Sequence, residues 1–340
     1  MRIALVAPLV APIAPPFLGG AQVIVHDLAA GLAARGHAVS LYAADGSAAP
    51  GVGAMSLGID ATTLRAAWFN PTRLNAAGLP GDTNADTNAD GVFFDQAHHF
   101  LRIALHIAEH AAEFDLVHAH AYDWPAFAFG ALLPLPTLHT LHVSASSRAI
   151  RDVLRTLAAA PNTRLAAVSR ACAASYASDP PIATVLYNGL DVAAIPFGAE
   201  PAAERYLLFA GRMSPEKGVS DALAIARAAG RRLILVGNRY DPAYFDTEVA
   251  PPLAEMAANR QAEYLGPVAR ERLWHLMADA DAVLVPSHWE EPFGLAPCEA
   301  QAAGAPVVGY RVGALPEVVA DGVTGWLVPR GDIAAAAAAV

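Results

Sequence analysis

The densest run of residues able to do chemistry is Glu290-Glu291-Pro292-Phe293-Gly294-Leu295-Ala296-Pro297-Cys298-Glu299-Ala300. Two carboxylates, Glu291 and Glu299, flank a Pro-x-Gly break, which predicts a loop turning into a helix that carries Glu299. Were the whole span helical, the pair would lie about 12 Å apart along its axis. That distance suits a ligand with two separated hydroxyl-bearing ends, such as a sugar and a ribose. A second group is Gly211-Arg212-Met213-Ser214-Pro215-Glu216-Lys217-Gly218. It follows a strand pattern, so Arg212 and Lys217 fall at a strand's carboxyl end, where ligands of open α/β sheets bind. Two fixed cations there suit a diphosphate and the charge it develops as a leaving group. Lys217 is also the only lysine among 22 basic residues.

A third group is Gly19-Gly20, ahead of an apolar-periodic segment that predicts a helix. A helix N-terminus offers unbonded N–H groups and a partial positive charge, and glycines let a phosphate approach the backbone. An ordinary tight turn uses the same residues, so both readings stand at this point. The pattern is not GxGxxG, which counts against dinucleotide redox chemistry. Histidines cluster at His118, His120, His139 and His142, without HExxH or other close ligand spacing, so no metal site is expected. There is no GxSxG, Walker A loop or cysteine-nucleophile motif.

These groups need strands and helices to position them. Strand patterns occur at residues 3–7, 38–42, 116–119, 165–168 and 184–186, and then at 206–209, 233–236, 282–285 and 306–309. Between the first two lies a helical pattern, Val23-Ile24 to Leu32, stopped at Arg35-Gly36-His37. Strand, glycine loop, helix and strand make a βαβ unit, so the expectation is α/β with two Rossmann-like, doubly wound parallel-sheet domains facing a central cleft. The first domain is expected over 1–196, a linker over 197–204 and the second domain over 205–340. The tandem DTNA repeat at 82–90 predicts a mobile surface loop.

Totals narrow the function classes. A chain of 340 residues, 55% hydrophobic and 16% charged, can fill two cores. The net charge of −10 gives no general drive toward nucleic acid or an anionic membrane. Residues 1–200 hold 10 Arg against 15 Asp plus Glu, which argues against stable membrane association. Cys172 and Cys298 stand far apart, so a reducing cytoplasm is expected rather than a disulfide framework. The proline-broken start does not read as a signal peptide.

Taken in order, the motifs resemble the family 4 retaining glycosyltransferases, which share the two-domain GT-B fold. The resemblance runs over nearly the whole chain. It rests on Gly19-Gly20, Arg35-Gly36-His37, Thr140-Leu141-His142-Val143-Ser144, Val168-Ser169-Arg170 and Asn188-Gly189-Leu190-Asp191. In the second half it rests on Gly211-Arg212, Glu216-Lys217-Gly218, the E-x7-E pair Glu291 and Glu299, and Gly313-Ala314-Leu315-Pro316-Glu317. The resemblance implies that Arg212 and Lys217 hold the diphosphate of a nucleotide-sugar donor, helped by backbone N–H groups at Gly19-Gly20. It implies that Glu299 binds the ribose hydroxyls. Glu291, with the backbone at Phe293, Gly294 and Leu295, would hold the donor sugar and its phosphate. Gly266-Pro267-Val268 would flank the base, and His142 would sit beside the reacting sugar.

The implied reaction moves a hexose from a nucleotide diphosphate sugar, UDP-sugar first, to a hydroxyl of a soluble small-molecule or oligosaccharide acceptor. It proceeds with retention and without a metal or other cofactor. The Arg-over-Lys and Ala-rich composition resembles that of proteins from GC-rich bacteria, and the expectation is an antibiotic-pathway member of the family. Family members usually continue beyond the position of Val340 into helices that return to the first domain. Alternative readings are a non-catalytic sugar-nucleotide-binding subunit and a GT-B sugar-nucleotide epimerase.

Overall fold

The computed structural model describes residues 1–62, 64, 89–145, 148–157, 160–176, 182–198 and 205–340. The chain forms two compact units, Met1–Val168 with Cys172–Tyr187, and Ser169–Ala171 with Asn188–Val340.

In the first unit the described strands are β1 (Arg2–Val6), β2 (Ala38–Tyr42), β3 (Gly53–Met55), β4 (Leu116–Ala119), β5 (Thr137–Leu141), β6 (Thr163–Ala167) and β7 (Thr184–Val185). They form one sheet in the order β3-β2-β1-β4-β5-β6-β7, parallel at every pairing. Ile3 of β1 stands between Val39 of β2 and Leu116 of β4, so the strand order reverses at β1/β4. A parallel sheet is buried on both faces, which is why short Val/Leu/Ala-rich runs serve as its strands. One face, with Leu5, Val39 and Leu41, packs on Val25 and Ala29 of the Gly20–Ala34 helix. The other, with Ala4, Val6, Tyr42 and Val117, packs on Phe100, Ile103 and Ile107 of the Ala89–Glu109 helix.

In the second unit β8 (Leu207–Ala210), β9 (Leu233–Val236), β10 (Ala262–Gly266), β11 (Ala282–Val285), β12 (Val307–Tyr310) and β13 (Gly325–Val328) form a parallel sheet in the order β10-β9-β8-β11-β12-β13. Alternate residues feed two cores: Leu207, Phe209, Leu233 and Leu235 on one face, Leu208, Ile234, Val283 and Val307 on the other. Its order reverses at β8/β11. The loops leaving those two strands are therefore neighbours at the carboxyl edge, where open α/β sheets bind ligands.

Every strand named from the sequence is present within one or two residues, and the parallel α/β expectation holds in both units. The structure adds β3, β5, β10, β13 and the Ala89–Glu109 helix. Of the DTNA repeat, residues 82–88 lie outside the described residues. Ala89 and Asp90 open a helix rather than continue a loop. No helix among the described residues is long and apolar enough to cross a membrane.

Candidate functional site

The loop after β8 is shaped by a 3-10 turn, Pro215–Lys217, closed by Gly218 at φ 71°. A Cβ on Gly218 would stand 1.9 Å from the Pro286 carbonyl oxygen, so only glycine lets this loop lie against the end of β11. Two contacts then fasten the loops together. The His288 N–H donates to the Glu216 carbonyl at 2.8 Å, and Ser287 Oγ lies 3.1 Å from the same oxygen.

This brings Lys217 to Glu291. Lys217 Nζ donates to Glu291 Oε1 at 2.6 Å, and Ser287 Oγ lies 2.7 Å from that oxygen. Burial pushes the Glu291 carboxyl up, but the Lys217 ammonium and the hydrogen bonds outweigh it and hold the group below its usual value. An ammonium carries three donors, so two remain on Lys217 beyond the one given to Glu291. The Lys217 ammonium also lies 5.2 Å from the centre of the Trp289 ring. Arg212 donates to Glu216 Oε1 at 3.1 Å while its guanidinium stacks 4.3 Å from the Tyr240 ring centre. Ser214 Oγ donates to the same Glu216 oxygen at 2.7 Å. Both cations are thus pre-positioned by carboxylates and aromatic faces, with donor capacity remaining.

Glu291 is fixed from behind by Gly313, which adopts φ 51°. A Cβ there would stand 2.4 Å from both the backbone N and O of Glu291. The Ala314 N–H donates to the Glu291 carbonyl at 2.8 Å, and Gly313 N–H to Glu290 Oε2 at 2.7 Å. The helix carrying Glu299 begins only at Leu295, with Gly294 at φ 95° as its N-cap. Glu291 therefore lies off that helix, and the axial spacing of an unbroken helix does not apply. Phe293 is buried beside it. No side chain caps the Leu295–Ala302 helix, so its first N–H groups are available to an anion.

Glu299 is 5% exposed; Arg270 Nε donates to its Oε1 at 2.9 Å and Trp274 Nε1 at 3.0 Å. Gly266, at φ 71°, ends β10, and Gly266-Pro267-Val268 leads into the Arg270–Ala278 helix that supplies both donors. Elsewhere in the unit, Glu317 accepts from the N–H groups of Arg170 at 2.9 Å and Ala171 at 2.7 Å, and Ser169 Oγ donates to the Pro292 carbonyl at 2.5 Å.

In the first unit Gly19 is the extended N-cap of the Gly20–Ala34 helix and no side chain caps it, which leaves its first N–H groups unclaimed by side chains. At the ends of β4 and β5 the histidines form a chain. His118 Nε2 meets Thr140 Oγ1 at 2.8 Å, the His118 and His120 rings are 4.1 Å apart, and His120 Nδ1 meets His142 Nε2 at 2.7 Å. Burial pushes His118, His139 and His142 down to about 4, so all three are neutral at pH 7. Among the described residues no group of three or more His, Cys, Asp or Glu is arranged to hold a metal ion.

Of the residues expected from the sequence, Arg212, Lys217, Glu291, Phe293, Gly294 and Leu295 stand at the β8/β11 edge of the second unit. Glu299 and Gly266-Pro267-Val268 occupy the segments around the Arg270–Ala278 helix. Gly19, Gly20 and His142 belong to the first unit. Ser287, Arg270 and Trp274 also contact the site carboxylates and were not among the residues expected from the sequence. The i, i+4 spacing of Arg270 and Trp274 was the available signal for those two.

A two-sheet α/β protein with paired cations and carboxylates at a switch point is the class that this geometry defines. A family model described as Glycosyltransferase Family 4 matches residues 18–194, and one described as Glycosyl transferases group 1 matches residues 194–340. The chain belongs to the family 4 glycosyltransferases and is a glycosyltransferase. It is 30% identical to a glycogen synthase of Mycobacterium tuberculosis over 96% of this chain and 82% of the relative. Among solved structures it is similar to AviGT4, a glycosyltransferase involved in avilamycin A biosynthesis, at 26% identity and TM-score 0.64, covering all of this chain and 88% of the other. HepE of Anabaena, solved with UDP and glucose, shares the fold at 22% identity and TM-score 0.69, covering 98% and 87%.

Proposed function

We propose that the protein transfers a hexose from a nucleotide diphosphate sugar, UDP-sugar first, to a hydroxyl of a soluble small-molecule or oligosaccharide acceptor, with retention at the anomeric carbon. The observation that carries the reading is the β8/β11 edge. Arg212 and Lys217 stand there with donors to spare beside Glu291 and an uncapped helix N-terminus. The UDP bound by HepE and the involvement of AviGT4 in avilamycin A biosynthesis support UDP and a natural-product acceptor.

In this mechanism the acceptor oxygen attacks the anomeric carbon on the face that the diphosphate leaves. The bond from that carbon to the β-phosphate oxygen breaks, and the departing phosphate takes the acceptor's proton. The transition state carries positive charge on the sugar and negative charge on the phosphate. Arg212, Lys217 and the Leu295 helix terminus stabilise the latter in a fixed geometry, so no metal is called on. Within the second unit, Glu291 and the Phe293–Leu295 backbone hold the sugar and its phosphate, Glu299 takes the ribose, and Gly266-Pro267-Val268 flanks the base. The reading places the enzyme in the cytoplasm.

The test is proton NMR of the sugar released or transferred from UDP-glucose and other nucleotide sugars, in EDTA, against a panel of hydroxylated acceptors. An α-linked product from an α-linked donor is expected. An inverted product would overturn retention. Nucleotide binding with no turnover of any donor would favour a non-catalytic subunit.

A further inference from the structure

Glu299 is held by two donors from one helix, and both fall on the same oxygen. Arg270 and Trp274 stand four residues apart on the Arg270–Ala278 helix and therefore share a face. The Arg270 guanidinium lies 4.7 Å from the Trp274 ring centre, so the two side chains brace each other as well as the carboxylate. Trp274 is 8% exposed and packed in the core, which leaves its indole N–H little freedom to turn away. Oε1 receives Arg270 Nε at 2.9 Å and Trp274 Nε1 at 3.0 Å. Among the described residues no hydrogen bond reaches Oε2.

We propose that Arg270 and Trp274 are positioning residues that set the selectivity of Glu299 for a ribonucleoside diphosphate over its 2′-deoxy form. This rests on the donor-site reading, in which Glu299 meets the ribose. A carboxylate oxygen that already accepts two charge-assisted or indole donors has little capacity left. The ribose hydroxyls then fall to Oε2, whose direction is fixed because the carboxylate cannot rotate without breaking both bonds at Oε1. A site built to accept from a hydroxyl rejects the analogue that lacks it, because its polar atom is left unpaired. The same helix begins directly after Gly266-Pro267-Val268 and Ala269, so the base loop and the ribose clamp are built on one element.

The experiment compares calorimetric Kd values of UDP, GDP and ADP with those of their 2′-deoxy counterparts, and of inorganic pyrophosphate as a ribose-free probe. The proteins are wild type, Trp274→Phe, which keeps a ring but loses the donor, and Arg270→Lys, which keeps charge but loses the planar fork. Wild type should prefer the ribo form by about tenfold or more, and each variant should lower that preference about three- to tenfold. Pyrophosphate affinity should be unchanged, which a general loss of folding would not permit. Arg270→Gln provides a second variant should either of the others fold poorly. A wild-type protein that binds ribo and deoxy forms equally overturns the ribose clamp alone, whereas one that binds no nucleotide overturns the donor-site reading as well. A wild-type preference that survives intact in both variants overturns the clamp and leaves the donor site standing.

Discussion

Lys217 Nζ donates to Glu291 Oε1 at 2.6 Å across 74 residues of sequence. The contact exists because β8 and β11 are neighbours at the point where the strand order reverses. It couples a cation suited to a diphosphate with a carboxylate suited to sugar hydroxyls, so a change at either residue acts on both.

Replacing the ammonium tests that coupling. Lys217→Ala should weaken nucleotide diphosphate binding and lower kcat/KM by about two to three orders of magnitude, as expected when charge stabilisation of a leaving group is lost. It also leaves Glu291 buried without its partner, destabilising the fold by about 1–3 kcal/mol. Lys217→Ala with Glu291→Gln should recover part of that stability but none of the activity. Urea denaturation and initial rates check both statements, and unchanged kinetics in Lys217→Ala would remove the diphosphate assignment.

Glu299→Ala should raise the donor KM with a smaller effect on kcat, since the ribose contact is present in both ground and transition states. Steady-state kinetics with a fixed acceptor decide it. A normal KM would detach Glu299 from the donor.

Gly313→Ala should lower both stability and activity. The backbone at φ 51° disfavours alanine, and its Cβ would press on the Glu291 backbone at 2.4 Å. A destabilisation of at least about 1 kcal/mol is expected, together with reduced kcat/KM. A variant with wild-type stability and rate would show that Gly313 does not fix Glu291.

The buried histidines set an acid limit. His118, His139 and His142 are pushed from 6.5 down to about 4 in the fold, so between those values the unfolded chain binds protons that the native chain does not. Stability should therefore be full above pH 6.5 and fall as pH drops toward 4. Among the described residues neither ring nitrogen of His139 has a hydrogen-bond partner. His139→Leu should flatten that fall by up to one proton's worth of slope, read from denaturation midpoints between pH 4.5 and 7.5. The Glu291 carboxyl is held below 4.5, so its contribution is present above that value and is lost as pH falls through its lower native value. An unaltered slope in His139→Leu would show that the ring titrates as freely in the fold as in the unfolded chain.

The elements legible in the sequence were those whose cause is local. Leu233–Val236 and Ala282–Val285 are unbroken apolar runs because parallel strands are buried on both faces. β5 was hidden because Thr137-Leu138-His139-Thr140-Leu141 places buried polar side chains in a strand. The paired cations and carboxylates could be named from residue type and motif spacing. The Lys217–Glu291 bond could not, because it depends on which strands become neighbours. The clamp on Glu299 was also hidden, since Arg270 and Trp274 share a face of one helix but only a second helix, distant in sequence, supplies the carboxylate that they hold.

The second unit is expected to hold a nucleoside diphosphate through Arg212 and Lys217 without a metal. Calorimetric titration of the protein with UDP, GDP, ADP and dTDP, in EDTA, tests that directly. Micromolar binding of one nucleotide, UDP first, unchanged by EDTA and lost in Lys217→Ala, is expected. Absence of binding by all four, or binding that EDTA abolishes, would contradict it.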